Sequence, residues 1–168
     1  KMSLLYPCWF FLHEGGKLVA MVMVEVDGLM IAASSSLRAR LRQQLEKRFL
    51  FGKWQYQEAD YAGRHVKMLA DRVEIDQEKY IIEEVRAIPF QRNRRSRKKE
   101  PPTSSEFREY RSLLYKINWL ARGSRIEASG TSSILASRLA SATVEDACCL
   151  NRMVGHLRST ARRPLTLW

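Results

Sequence analysis

The chain has few cysteines and no long apolar run. Its 168 residues include three cysteines, Cys8, Cys148 and Cys149, and the last two are adjacent. This set makes no disulfide framework and indicates reduced thiols, and no Cys-x-x-Cys or paired His/Cys spacing predicts zinc. No run approaches the ~20 apolar residues of a transmembrane helix, and the N-terminus does not resemble a signal peptide. We therefore expect a cytoplasmic or nuclear protein of about one domain's length, with no membrane partner.

Positive charge is abundant and unevenly distributed. The chain carries 29 basic and 18 acidic side chains, a net charge of +11. Residues 1–90 contribute +1, and residues 91–168 contribute +10. Nearly all of the net positive charge therefore lies in the second half of the chain.

The densest positive charge lies in residues 91–105. Six cations fall within the eight positions 92–99, and a Pro-Pro-Thr-Ser-Ser sequence follows Glu100. Like charges repel one another, and consecutive prolines do not continue a helix, so we predict a flexible basic linker. Three interpretations stay open: a solvated loop without a task, a nuclear-import-like patch, or an arm that binds phosphates.

The segment Val22–Ala33 carries the strongest local signal. β-formers flank Asp27-Gly28, which predicts a hairpin whose central turn positions are these two residues. The hairpin presents the carboxylate of Asp27 at its tip. A purely structural turn is the simpler interpretation when this segment is considered alone.

The other patterns predict an α+β protein. Strands are expected at 9–12, 18–24 and 29–33, with a tight turn at 14–17, followed by strands at 55–61 and 65–73 and a helix at 76–85. Leucines and Phe49 recur every four residues from Leu37, which predicts a helix with an N-cap in Ser34-Ser-Ser36 and an end at Gly52. Its basic face, with Arg38, Arg42 and Lys47, is expected to be solvated.

The last third is expected to be helical. Thr103 and Glu106 have capping-box spacing, and the helix after them should bury Phe107, Tyr110, Leu114 and Ile117. Two further helices are predicted at 132–142 and 144–157, with Thr143 as the cap of the second. His156 lies near the end of that last helix, where we expect only a favourable interaction with the helix dipole.

The motif series resembles the reverse transcriptase of copia-type LTR retrotransposons. Five segments, in the family's order and spacing, are similar to its motifs D-P-C-L-F, V-D-D-L/I-x-I, F-L-G, L-x-Q-x-K-Y-I and the closing Y-R-S-L … L-S-R … R-x-L-R-Y-L-K-G-T block. They are Tyr6-Pro-Cys-Trp-Phe-Phe-Leu12, Val22–Ala33, Ala59-Asp-Tyr-Ala-Gly63, Ile75-Asp-Gln-Glu-Lys-Tyr-Ile81, and Tyr110–Leu120 with Ser137-Arg-Leu139 and Asn151–Thr160. The resemblance covers nearly the whole chain.

The resemblance implies a polymerase site from which carboxylates are missing. Such enzymes hold two Mg²⁺ (or Mn²⁺) ions with carboxylates during phosphoryl transfer. Asp27 matches the first aspartate of the family's hairpin pair and is the implied catalytic and metal-binding residue, whereas Gly28 stands where the second would be. Glu25 replaces the family's aromatic residue or His, and the earlier palm strand that carries the third aspartate would lie before Lys1. We therefore expect no polymerase activity from this chain alone.

The resemblance also implies an architecture and partners. It predicts a partial palm at 1–90, an antiparallel palm-type hairpin sheet covered by helices, then the basic linker at 91–105 and a three-helix thumb- or connection-like segment at 106–168. Expected partners are RNA–DNA or DNA duplexes, bound through phosphates, and the remaining palm, finger and RNase H parts of the polyprotein. The predicted nucleic-acid-binding residues are Arg92, Arg94, Arg95, Arg97, Lys98, Lys99, Arg111 and Arg158.

Two functional hypotheses follow. In the first, the chain is part of a copia-type RNA-directed DNA polymerase that binds a template–primer. In the second, it is a non-catalytic basic module or decayed remnant. Three features favour the second hypothesis as regards activity: Gly28, Glu25 and the missing upstream aspartate. The motif order favours the first hypothesis as regards ancestry and fold.

Overall fold

The computed structural model describes residues 1–25, 28–91 and 93–168, and it shows the predicted α+β class. The chain forms two compact units, 1–62 and 63–168. This boundary differs from the predicted divisions after residues 90 and 105, and the segment expected to be a linker belongs to the second unit. The palm-like identity of the sheet stays a prediction.

The first unit is built on an antiparallel sheet in the order β1–β2–β3. The strands are β1 (Trp9–Glu14), β2 (Lys17–Glu25) and β3 (Gly28–Ala33), which confirms the three predicted strands with longer ends. Gly15 and Gly16 form the predicted turn between β1 and β2, and both have positive φ angles of 56° and 79°. A side chain would be strained there, so glycine permits the tight connection.

A helix and a short strand complete the first unit. Helix α1 (Ser35–Glu46) follows Ser34, whose side chain makes no capping hydrogen bond, and strand β4 (Glu58–Tyr61) is shorter than predicted. Leu37 is buried, but Phe49 is 59% exposed. The prediction that the helix continues through Phe49 to Gly52 is therefore wrong, because α1 ends at Glu46.

The second unit begins with strands and a short helix. Strands β5 (Arg64–Met68) and β6 (Val73–Asp76) pair antiparallel and replace the single strand predicted at 65–73. Helix α2 (Glu78–Glu84) follows and lies within the predicted range. Strand β7 (Leu165–Leu167), which the sequence analysis did not predict, pairs antiparallel with β6.

Three α-helices lie in the described residues from position 104 onward. They are α3 (Ser104–Gly123), α4 (Ser129–Ser137) and α5 (Val144–Ser159). Thr103 and Thr143 form capping boxes with Glu106 and Asp146, so both predicted caps are confirmed. The helix predicted at 132–142 instead begins earlier and gives way to a 3₁₀ turn at Leu139–Ser141.

The main hydrophobic core lies in the second unit, between α2, α3, α4 and α5. Tyr110, Leu114 and Ile117 are buried as predicted, and Phe107 packs against them partly exposed. Burial raises the pKa of Tyr110 to about 12, and its hydroxyl donates to the carbonyl of Leu135 at 3.2 Å. The core therefore includes one polar group with a satisfied hydrogen bond.

No helix in the described part of the chain is long and apolar enough to cross a membrane.

Candidate nucleic-acid interface

The β2–β3 hairpin places Gly28 in a strand. Glu25 and Gly28 are direct partners in the antiparallel register, and the φ angle of Gly28 is not positive. The prediction that Gly28 is a central turn residue is therefore wrong. Asp27, the predicted catalytic and metal-binding residue, lies outside the described residues, as does Val26.

Tyr61 explains why glycine fits at position 28. A Cβ atom there would lie 3.1 Å from Cε2 and 3.4 Å from Cδ2 of the Tyr61 ring. Burial, together with the negative charge of Glu25, raises the pKa of the Tyr61 phenol. An aspartate at position 28 would thus require the ring of Tyr61 to move by a few tenths of an ångström.

The described residues alone do not make up a two-metal site. Glu25, which is exposed, supplies the described carboxylate at the hairpin end. Among the described residues, no group of three His, Cys, Asp or Glu side chains is placed to hold a metal ion. A two-metal site needs several converging carboxylates, and the described residues at the hairpin end supply Glu25.

Arg94 is held by the protein's own groups. It begins a 3₁₀ turn (Arg94–Ser96), and its side chain is 13% exposed. Its Nε lies 3.0 Å from Oε1 of Glu106, its Nη2 donates to the carbonyl of Pro101 at 2.6 Å, and its Nη1 pairs with Glu100. Arg94 therefore fastens the basic segment to the start of α3 and is poorly placed to contact a phosphate.

The neighbouring cations are much more open. Arg95, Arg97, Lys98 and Lys99 are exposed; Arg97 lies 3.9 Å from Glu100, and Lys98 lies 3.5 Å from Glu145. Neither Arg95 nor Lys99 makes an ion pair with another described residue, and Arg92 lies outside the described residues. Backbone hydrogen bonds from Val144 to Glu100 and from Glu145 to Lys98 also tie this segment to the start of α5.

Arg111 and Arg158 are the two remaining predicted nucleic-acid-binding residues, and one of them is again bound by the protein's own groups. Arg111 is exposed on α3. Arg158 on α5 is exposed, but its Nη1 donates to the carbonyls of Ile82 and Val85, both at 3.1 Å. These carbonyls end α2, so Arg158 caps that helix as a cation at its negative end. The candidate interface of the second unit is thus reduced to Arg95, Arg97, Lys98, Lys99 and Arg111.

Sequence reasoning missed two side chains that hold this unit together. Arg125 is 1% exposed and bonds Glu127 and the end of α5. The Asn151 amide accepts from the backbone N–H of Ile88 at 2.7 Å and donates to its carbonyl at 2.9 Å. Apart from the Glu127 contact, neither has a local sequence signal, because Thr160 and Ile88 lie 35 and 63 positions away along the chain.

Glu106 is expected to stabilise the fold at neutral pH and to lose that effect in acid. Although burial opposes it, hydrogen bonds from the Thr103 backbone and from Arg94 lower the pKa of Glu106 below its ordinary value of 4.5. A lowered pKa stabilises the fold above the ordinary value, and the stabilisation disappears as pH falls through the folded-state pKa. Glu106→Gln should cost about 1–2 kcal/mol at neutral pH, the range for a lost cap and a charged hydrogen bond.

Urea unfolding at neutral pH and below pH 4.5 measures this effect. The loss of stability on acidification should be smaller in Glu106→Gln than in the unmodified chain. Glu109→Gln is the matched control, since Glu109 is exposed on the same helix and a surface change of this kind stays within about 0.5 kcal/mol. Equal acid responses for all three proteins would contradict the role of Glu106.

Comparisons with protein-family models, with curated proteins and with solved structures find no match to this chain.

Proposed function

We propose that this chain is a reverse-transcriptase-like part of a copia-type retrotransposon polyprotein that binds a template–primer duplex through its second unit and does not polymerise by itself. The observation that carries the proposal is the ordered series of family-like motifs over nearly the whole chain. The α+β class and the β2–β3 hairpin beside Asp27 are compatible with it. Mg²⁺ or Mn²⁺ would belong to the intact family enzyme.

The expected inactivity depends on position 28. The family's second hairpin carboxylate is absent there, and the ring of Tyr61 occupies the space beside Gly28. The alternative, a non-catalytic basic module or decayed remnant, shares this inactivity. It differs from the main proposal because it gives the chain no part in a working polymerase.

The duplex is proposed to bind by its phosphates. Exposed lysines and arginines bind phosphates without reading sequence, and each contact releases counterions. Arg95, Arg97 and Lys99 are the best positions to test, because all three are exposed and removing them leaves the Arg94 and Lys98 contacts intact. The proposed partner is therefore an RNA–DNA hybrid or a DNA duplex of any sequence.

The test is the salt dependence of binding to a labelled RNA–DNA hybrid and to an unrelated DNA duplex. Changing Arg95, Arg97 and Lys99 together to glutamine should reduce the slope of log affinity against log salt by about 0.9 for each lost contact, or about 2.7 in all, on DNA duplex. The control variant changes the exposed Lys17, Lys79 and Arg86 to glutamine and removes the same charge elsewhere. An equal change in both variants, or no binding at low salt, would refute the proposal.

A further inference from the structure

A second basic region lies in the first unit, although the net charge of that part of the chain is small. Residues 1–90 net only +1, yet residues 35–53 contain six basic side chains and one acidic one, a net charge of +5. These residues comprise α1 and the chain that follows it. We call this region, extended to residue 56, the α1 platform.

Two arginines of the α1 platform pack on aromatic rings. The guanidinium of Arg38 lies 5.6 Å from the ring centroid of Tyr56, and that of Arg42 lies 5.5 Å from the ring of Trp54. Arg42 also donates to the Tyr56 hydroxyl at 2.6 Å. The hydrogen bond to Glu46, followed by the one to Tyr56, raises the pKa of Arg42. The predicted solvated face of α1 is thus partly a cation–π surface, which orders the segment beside it.

The same segment exposes further rings. Phe49 is 59% exposed and Tyr56 is 50% exposed, and Phe51 makes ring contacts with both Phe49 and Trp54 at centroid distances of 6.1 and 5.1 Å. Holding aromatic faces toward water is unfavourable unless another surface covers them. The rings of Phe49 and Tyr56 are therefore half-exposed, and contacts with Phe51 and with the arginines of α1 hold this segment in place.

Three further cations lie next to these aromatic residues in the sequence. Lys47, Arg48 and Lys53 are exposed and make no ion pair with another residue in the described part of the chain. Arg40 and Arg42 are matched by Glu14 and Glu46, with N–O distances of 2.7 and 2.8 Å. The uncompensated charge thus lies with Arg38 and these three cations, and it is complementary to a polyanion.

We propose that the α1 platform binds single-stranded nucleic acid, with bases stacked on Phe49 and Tyr56 and phosphates bound by Lys47, Arg48 and Lys53. Proteins that bind single strands without sequence preference combine a basic track with aromatic side chains on which bases stack. A duplex gains little from exposed rings, because its bases already stack on one another. The proposal concerns the first unit and does not depend on the proposed duplex binding by the second.

The test uses the full chain and two labelled probes, an oligothymidine and a DNA duplex, followed by fluorescence anisotropy. Replacing Phe49 and Tyr56 together by alanine should weaken oligothymidine binding at least about tenfold, since each stacked base is worth about 1–3 kcal/mol and 1.4 kcal/mol is tenfold. Duplex affinity should change by less than about twofold. Tyr56→Phe keeps the ring and should retain oligothymidine affinity.

Leu50→Ala is the matched control, because Leu50 is fully exposed between Phe49 and Phe51 but carries no ring. It should alter neither affinity, and the helical circular-dichroism signal should be unchanged in every variant. Changing Lys47, Arg48 and Lys53 to glutamine should lower the salt slope on oligothymidine by about 0.7 for each contact.

Three results would overturn the inference: no oligothymidine binding, an equal loss for oligothymidine and duplex in the ring variant, or an equal loss in Leu50→Ala. The last result would indicate that the rings contribute by apolar contact in general and not by stacking with bases. Failure of duplex binding in the second unit, with oligothymidine binding retained, would refute the proposed function and leave this inference standing.

Discussion

Replacing Arg125 with alanine is expected to lower the free energy of unfolding of the second unit by about 3 kcal/mol, the upper range for hydrogen bonds to a charged group. The guanidinium is buried, and its Nε and Nη2 lie 2.8 and 2.6 Å from Oε1 of Glu127. Its Nη1 and Nη2 also donate to the backbone carbonyl and the hydroxyl of Thr160, at 3.2 and 2.5 Å. Alanine would remove all of these hydrogen bonds and open a cavity at the end of α5.

The charge of Arg125 matters as well as its hydrogen bonds. Thr160 is the C-cap of α5, and a cation near a helix C-terminus interacts favourably with the helix dipole. Although burial of Glu127 opposes the effect, the hydrogen bond from Arg125 lowers the pKa of that carboxyl group. The stabilisation from this ion pair is therefore present at neutral pH and lost as pH falls through the folded-state pKa of Glu127.

Urea unfolding followed by the helical circular-dichroism signal measures the Arg125→Ala effect. Arg162→Ala is the matched control, because the Arg162 side chain is 91% exposed and pairs with Glu78 at 3.1 Å on the surface. Such a pair is worth at most about 1 kcal/mol. A loss in Arg125→Ala no larger than that in Arg162→Ala would show that the buried network contributes little.

Several elements with a signal in adjacent residues were predictable from the sequence, although Gly28 is not a turn residue and Ser34 makes no capping hydrogen bond. The turn at Gly15-Gly16 and the capping boxes at Thr103 and Thr143 each depend on residues within four positions of one another, and the structure has all three. Strand β7 lacks such a signal, because its three residues are held by pairing with β6, about ninety positions earlier. Likewise, a period of four continued to Phe49, but periodicity does not mark where a helix ends.

The candidate site was less predictable, because sequence cannot distinguish an exposed cation from one that the protein binds itself. Arg94 and Arg95 are adjacent and chemically equivalent, yet Arg94 is fixed by Glu106 and Pro101 whereas Arg95 is exposed. Arg38 and Arg42 looked like a solvated face, and their partners Tyr56 and Trp54 follow after a segment without regular structure. In each case, the partner lies on another element, so only the fold decides the role of the cation.

Gly123→Ala is expected to destabilise the second unit by about 1–3 kcal/mol, the usual cost of overpacking. Gly123 is the last residue of α3, and a Cβ atom there would lie 2.1 Å from Oε1 and 2.8 Å from Cδ of Gln77. Gln77 is buried, and its Oε1 accepts from the Ser124 hydroxyl at 3.1 Å. The methyl group would displace the amide and break that hydrogen bond, at a position where Nε2 of Gln77 already lacks a partner among the described residues.

Gly155→Ala on α5 separates this packing effect from helix propensity. No atom lies within 4 Å of a Cβ atom built at Gly155, and alanine in a helix interior is favoured over glycine by about 1 kcal/mol. The same substitution should therefore stabilise the chain at position 155 and destabilise it at position 123, as measured by the urea midpoint at an unchanged slope. Stabilisation at both positions would show that Gln77 moves aside without cost. Truncating Gln77 to alanine in the Gly123→Ala background tests the cause directly, since removing the displaced amide should make the alanine at 123 less costly than it is beside the intact glutamine.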